Sequence, residues 1–372
     1  MTTPQKPISA GLEGIIAAET RLSQVDGEGG RLIICGSDVE PIASSFSYED
    51  TAHLLWTTAG ITTPDRSTLQ RRFGQLRVEM FDFFQPLLPQ LGRGSILEGL
   101  RAGWAMLNDG TGEDDHLRLV AAAPVLIAAL HRRQQGLEVI APNAAKDHAS
   151  DFISMLQTGD PDPALVKGLS TYFVTVSDHG MNASTFTARV VASTQAGVIS
   201  AVVAALCALK GPLHGGAPGP VLDMLDDAKA SGDPERWVEE KMAAGQRIMG
   251  FGHRIYRTRD PRANILKQVV MDLKGHNGRV AFAELLEQHV LDILCEHYPG
   301  RRLDTNVEFY TALALEAIGL HRDLFTPAFA MGRLIGWIAH IREQERSGKI
   351  IRPASRYIGK VPDGATALAA AG

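Results

Sequence analysis

The sequence predicts a mainly α-helical chain in two lobes, and three observations carry that prediction. Apolar residues recur at the helical period over most of the chain, a single short run reads as a strand, and glycine and proline gather in two interior stretches. The helical period is clearest in Ile96–Leu107, Leu117–Arg133 (interrupted by Pro124), Ser184–Lys210, Val221–Ala230, Pro234–Gln246, Ala263–Leu273, Arg279–His297, Thr305–Ile318 and Pro327–Ser347. Start signals support several of these: Asn182-Ala-Ser184-Thr offers N-cap candidates, and Asp233-Pro234 puts proline in a first turn. Gly30–Gly36 is the strand-like run. The glycine- and proline-rich stretches are 211–220 and 245–261, where the backbone must turn tightly or approach a ligand. A lobe boundary is expected near Gly211 and a return near Leu320. Residues 1–211 and 321–372 would then form one larger, discontinuous domain, and 212–320 a smaller one.

Composition narrows the class. The chain has 372 residues, 45% hydrophobic and 21% charged, enough for a sizeable core. A net charge of −5 argues against general nucleic-acid binding but leaves room for a local basic pocket. Cys35, Cys207 and Cys295 are far apart and odd in number, which speaks against a disulfide framework or a thiolate zinc site and for a reducing cytoplasm. The N-terminus has neither a basic region followed by an apolar one nor the arginine content of a transit peptide. The longest uncharged apolar stretch, Ala196–Leu209, has 14 residues, short of the roughly 20 that span a bilayer. A helix so apolar is expected in a core or against a second subunit. The Ala-rich tail TALAAAG has little to anchor it.

The residues with chemical potential are histidines and arginines. Of 12 histidines, His179 (SDHGMN), His214 (PLHGG) and His253 (GFGHR) have glycine neighbours that leave space for a ligand, and imidazole exchanges protons near neutrality. They read equally well as turn histidines. Their gaps of 35 and 39 residues match no zinc spacing, HExxH is absent, and no metal is expected. GxxxxGK[ST] and GxGxxG are also absent. Arg254, Arg257, Arg259 and Arg262 crowd the stretch after His253, and Arg333 stands in the apolar run AFAMGRLIGWIAH. A guanidinium in such a helix needs an anionic partner. That partner is either an internal carboxylate or a dicarboxylate ligand gripped by guanidinium forks.

Six blocks then occur in order: DHGMNASTFTARVVAST, GPLHGGAPG, GFGHRIYRTRDPRA, NVEFYTALALEAIGL, FTPAFAMGRLIGWIAHIREQ and IIRPASRYIG. Together with the opening GLEGIIAAETRLSQVDGEGGRL they resemble the citrate synthase family, which includes 2-methylcitrate synthases, over nearly the whole chain. The resemblance implies an almost all-helical homodimer whose small domain closes over acyl-CoA and oxaloacetate. It implies no cofactor, acyl-CoA being a substrate. By the same resemblance His214 stabilises the acyl-CoA enol or enolate, and His253 polarises the keto carbonyl. His179, Arg262 and Arg333 hold the keto-acid carboxylates, Arg352 reaches across the dimer interface, and Met249, Gly250, Gly252 and Arg257 hold CoA. Such a set makes physical sense: a weakly acidic thioester α-proton needs a carboxylate base helped by an imidazole donor at the developing enolate oxygen.

Two positions depart from the family pattern. Its catalytic aspartate is Glu308 here, within Asn306-Val307-Glu308, and Ile34-Cys35-Gly36-Ser37 stands where many relatives carry Tyr-Arg-Gly-Tyr. The leading expectation is citrate formation from acetyl-CoA and oxaloacetate. The alternatives are 2-methylcitrate formation from propionyl-CoA, one methylene away and separated by only about 1–3 kcal/mol in a pocket, and a non-catalytic paralogue.

Overall fold

The computed structural model describes residues 10–110, 114–215, 218–252, 256, 258–273, 279–300 and 303–359. His253, Arg254, Arg257 and the Ala-rich tail lie outside the described residues. In chain order the helices are α1 Val39–Ser45, α2 Tyr48–Ala59, α3 Arg66–Phe84, α4 Leu88–Leu91, α5 Ile96–Ala105, α6 Asp115–Gln134, α7 His148–Leu156 and α8 Pro163–Val176. They continue with α9 Ala183–Ala192, α10 Val198–Leu209, α11 Pro218–Ala230, α12 Pro234–Ala243, α13 Pro261–Asp272, α14 Val280–His297, α15 Val307–Ala317 and α16 Phe325–Ser347. The fold is mainly α, as the sequence predicts.

Three expectations need correction. The single strand is the middle of a small antiparallel sheet, β1 Ser23–Asp26, β2 Arg31–Ile34 and β3 Ser37–Asp38, in that order. Ile34 pairs with Ser37, so Cys35 and Gly36 form a two-residue hairpin loop. Their φ values of 48° and 88° are both positive, as a tight I′-type loop requires. The Ile34–Ser37 departure therefore keeps the turn glycine and changes what surrounds it. Burial pushes the Cys35 thiol up to about 11, so it stays protonated and unreactive.

Second, Ser184–Lys210 is two helices. Gln195 (φ 63°) and Gly197 (φ 93°) turn the chain between α9 and α10. Asp109 receives the backbone N–H groups of Ile199 and Ser200, at 2.7 and 3.0 Å, and so caps α10 from a distant segment. Third, Pro124 does not interrupt its helix: α6 runs through it as 20 residues. An internal proline costs about 3 kcal/mol. The cost is tolerated here because Leu119–Leu130 is buried on every side.

α16 is the spine of the core. It packs against α2, α5, α6, α8, α9 and α10, and Gly348 ends it in a left-handed C-cap at φ 65°. Among the described residues the stretch Arg322–Ser347 is long and apolar enough to cross a membrane, but 89% of its apolar window is buried inside the protein, as in a core helix. α8 is equally central. It touches α13, α15 and α16, and those three helices carry Arg262, Glu308 and Arg333.

Candidate active site

A cleft of about 770 Å³ is lined by His179, His214, Met249, Gly252, Arg262, Glu308 and Arg333, among others. Segments far apart in sequence bring these groups together, and each is fixed by local chemistry.

His179 lies in the loop between α8 and α9, flanked by two residues that Ser23 of β1 holds. The Ser23 hydroxyl donates to the Asp178 carboxylate, and the Gly180 N–H donates to Ser23 Oγ at 3.0 Å. Arg189 donates to His340 Nδ1 at 2.9 Å, so the His340 proton sits on Nε2, 3.2 Å from both Asp178 oxygens. Burial alone would raise Asp178, but His340, Arg333 and the Ser23 hydroxyl hold its carboxyl below the usual value. The His179 Nε2 lies 3.2 Å from the Tyr256 hydroxyl.

His214 follows α10 in a turn closed by its own N–H to Gly211 O at 2.9 Å. The next N–H, of Gly215, reaches Leu209 O, and a Cβ at Gly215 would lie 2.6 Å from that oxygen, so only glycine fits. His214 Nε2 accepts the backbone N–H of Ser184 at 3.3 Å and lies 2.8 Å from its hydroxyl, which Trp337 Nε1 also contacts at 3.1 Å. A nitrogen that accepts an amide N–H carries a lone pair, so the ring proton is on Nδ1. Burial, with Arg333 adding to it, lowers His214 to about 4, and the ring is a neutral donor at pH 7.

Glu308 occupies the first turn of α15, behind its N-cap: Asn306 Oδ1 accepts the Glu308 N–H at 3.0 Å. The preceding backbone is clamped to the Met249–Gly252 loop. Phe251 bridges Thr305, Gly252 N–H reaches Asp304 O and Asn306 N–H reaches Gly250 O, both at 2.9 Å. Gly250 has φ 85° and packs on Phe309, which an added Cβ would approach to 2.9 Å. Glu308 is pushed up to about 7 by burial, against Arg262 and Arg333, which lower it; Asp260 raises it further. The carboxyl is therefore poised to gain or lose a proton near neutrality, as a general base should be.

The two buried arginines differ. Arg262, in the first turn of α13, is forked onto Asp260 through Nε at 3.1 Å and Nη2 at 2.7 Å. Arg333 donates Nε to Val176 O and lies 4.9 Å from the Phe329 ring centre. Among the described residues no carboxylate lies within ion-pair distance of it. Burial lowers Arg333 to about 10, leaving it charged at pH 7. A buried cation that faces a cleft and lacks a carboxylate within ion-pair reach is a place for an anion.

Arg352 is exposed and does not line its own chain's cleft; Ile351 beside it donates to Ser193 Oγ at 3.0 Å. His253 and Arg257 lie outside the described residues. Sequence reasoning missed Asp260, Ser184 as a partner of His214, and Tyr256. Of these only Asp260 had a local signal, an N-cap aspartate two residues before Arg262 across a proline.

Comparison with known proteins identifies the family. The family profile described as citrate synthase, C-terminal domain, matches residues 11–354. A citrate synthase of Haloferax volcanii is 35% identical, with 95% of this chain and 96% of that one covered. The crystal structure of citrate synthase from Thermotoga maritima matches with a TM-score of 0.85 at 31% identity, covering 95% and 96%. The citrate synthase of Thermoplasma acidophilum, solved as a ternary complex with carboxymethyl coenzyme A and oxaloacetate, also gives 0.85, at 26% identity over 98% and 100%.

The chain belongs to the citrate synthase family. It is an enzyme of the citrate synthase type, a transferase that turns an acyl group into an alkyl group as it transfers it, and it shares the family's nearly all-helical fold. Glu308, which stands where the sequence resemblance leads one to expect an aspartate, lines the cleft.

Proposed function

We propose that this chain condenses acetyl-CoA with oxaloacetate and water to give citrate and CoA, with Glu308 as the base. The observation that carries the reading is one cleft lined by a carboxyl poised near neutrality, a neutral imidazole with its proton on Nδ1, and a buried cation lacking a carboxylate within ion-pair reach. The Thermoplasma relative, crystallised with a CoA analogue and oxaloacetate, binds the two ligand classes that these groups suit.

In this reading Arg333, Arg262 and His179 hold the keto-acid carboxylates, and Met249, Gly250, Gly252 and Arg257 hold CoA. Glu308 takes the methyl proton while His214 Nδ1–H donates to the enolate oxygen. The enolate carbon attacks the keto carbon, whose oxygen His253 polarises, and water then cleaves citryl-CoA to citrate and CoA. No cofactor is needed, because the thioester itself acidifies the methyl. Residues 212–320 form the smaller domain and close over the cleft, whose walls come from both parts of the chain. Closure keeps water from the enolate. The test is thiol release from acetyl-CoA and from propionyl-CoA, each with and without oxaloacetate. Oxaloacetate-dependent release from acetyl-CoA is expected. Absence of release with either thioester would favour a non-catalytic paralogue, and strong preference for propionyl-CoA a 2-methylcitrate synthase.

The enzyme is further proposed to work as a homodimer in which Arg352 serves the neighbouring subunit's site. Most of α10 is buried within the chain, and a strip of Ser200, Val203, Ala204, Cys207 and Ala208 faces outward. The segment around Arg352 adds exposed Ile350, Tyr357 and Ile358. Sedimentation should show twice 40.1 kDa. Subunit exchange between Arg352→Leu and Glu308→Gln, each inactive alone, should regain activity, because a mixed dimer has one intact site only if Arg352 acts across the interface. A monomer, or no recovery after verified exchange, would contradict this.

A further inference from the structure

Tyr172 sits on α8, fully buried, and among the described residues its hydroxyl has no hydrogen-bond partner. A phenol so placed normally finds a partner, and the desolvated oxygen is otherwise destabilising. Its position is not that of ordinary core filling. α8 packs against α13, α15 and α16, and the Tyr172 oxygen lies within electrostatic reach of the group each contributes to the cleft, Arg262, Glu308 and Arg333. The ring does not line the cleft itself, so the hydroxyl stands one layer behind the reacting groups.

We propose that Tyr172 is a positioning residue for the base: its hydroxyl, which is not hydrogen-bonded to Glu308 in this structure, comes to donate to the carboxylate when Glu308 ionises and takes its working rotamer. This rests on the reading of Glu308 as the base. The chemistry selects the donor role. Burial holds the Tyr172 phenol far above neutrality, so it keeps its proton and has one to give. Arg262 and Arg333 are donors only, so neither can accept that proton, whereas Glu308 accepts. Glutamate also has one more rotatable bond than the aspartate of the family pattern, and therefore more freedom to lose when it reacts. A fixed donor behind it restricts that freedom and favours the charged form.

The charged groups acting on Glu308 are Arg262 and Asp260 at the start of α13 and Arg333 on α16. On α11, also packed against α15, Asp223 and Asp226 are taken up by Arg322 and Arg279. Glu316 on α15 itself pairs with Arg279. None of these is a neutral donor.

The experiment is Tyr172→Phe, which removes one oxygen, measured in the parent and in a Glu308→Asp background. The expected loss in kcat is about 10- to 100-fold, the worth of a hydrogen bond to a charged group, with oxaloacetate affinity unchanged. The acid limb of the kcat profile should move up by about one pH unit, since loss of a donor to the carboxylate raises its pKa. In Glu308→Asp the shorter side chain withdraws from α8, and Tyr172→Phe should have little further effect. A purely structural Tyr172 would give the opposite pattern: unchanged kcat and acid limb, with equal or higher thermal stability because an unpartnered hydroxyl has gone. That result, or a loss confined to oxaloacetate binding, overturns the proposal. Failure of the base reading is separable, because it would appear as retained turnover in Glu308→Gln whatever Tyr172→Phe does.

Discussion

Replacing Glu308 by Gln is expected to lower turnover about 10² to 10⁴-fold, the usual contribution of a positioned general base, while oxaloacetate binding stays close to that of the parent. Gln keeps the size and the N-terminal helix position but cannot take a proton. A carboxylate in a first turn is also favourable for electrostatic reasons alone. A merely structural Glu308 would therefore show a change in stability and none in rate. The pH profile sharpens the distinction. The base works ionised, and burial puts Glu308 near 7. In the parent, kcat/KM should therefore rise as pH increases through about 7 and be lost below it; a base at the ordinary carboxylate value would keep its activity to much lower pH. Glu308→Asp should remain measurably active, because the two carboxylates differ little in unperturbed pKa. Its deficit reports geometry, since small misplacements of a catalytic group can cost about a hundredfold.

Arg333→Leu is expected to weaken oxaloacetate binding by about 10² to 10³-fold, the range seen when one partner of a buried charge pair is removed. The effect should exceed that of Arg262→Leu, because Asp260 already occupies two donors of Arg262, whereas among the described residues Arg333 has only the Val176 carbonyl at Nε. Arg333→Lys should recover part of the affinity, since a lysine supplies the charge without the planar fork. Thermal stability should not fall in step, because removing a buried cation without a carboxylate partner relieves a desolvation penalty. Calorimetry of the keto acid checks all three variants. Unchanged affinity in both leucine variants would mean that the two arginines do not form the clamp.

The helical class, and several of the residues that line the cleft, were legible from local signals. Arg333 inside an apolar helix announces a cation in need of an anion, and Asn306-Val307-Glu308 before an apolar run announces a capped helix with a carboxylate in its first turn. What was not legible depends on distant segments. The break at Gln195–Gly197 is secured by Asp109, some ninety residues earlier, and hydrophobic periodicity runs straight across it. Pro124 reads as a breaker until the surrounding helices bury its neighbours on all sides. The proton position on His214 is set by Ser184, thirty residues away in sequence, and the unpartnered hydroxyl of Tyr172 exists only once α8 has packed against three other helices. The Cys35-Gly36 loop lies between these extremes: its glycine marks a turn, but its two-residue length follows from the register of β2 and β3.

Isotope exchange tests most directly whether Glu308 takes the α-proton. Acetyl-CoA deuterated in its methyl group is incubated with enzyme and oxaloacetate, and washout of deuterium is followed beside thiol release. The parent should show both, Glu308→Gln should lose both by about 10² or more, and Glu308→Asp should retain both. Parent-like exchange and thiol release in Glu308→Gln would contradict that role, and the base would have to be sought elsewhere in the cleft.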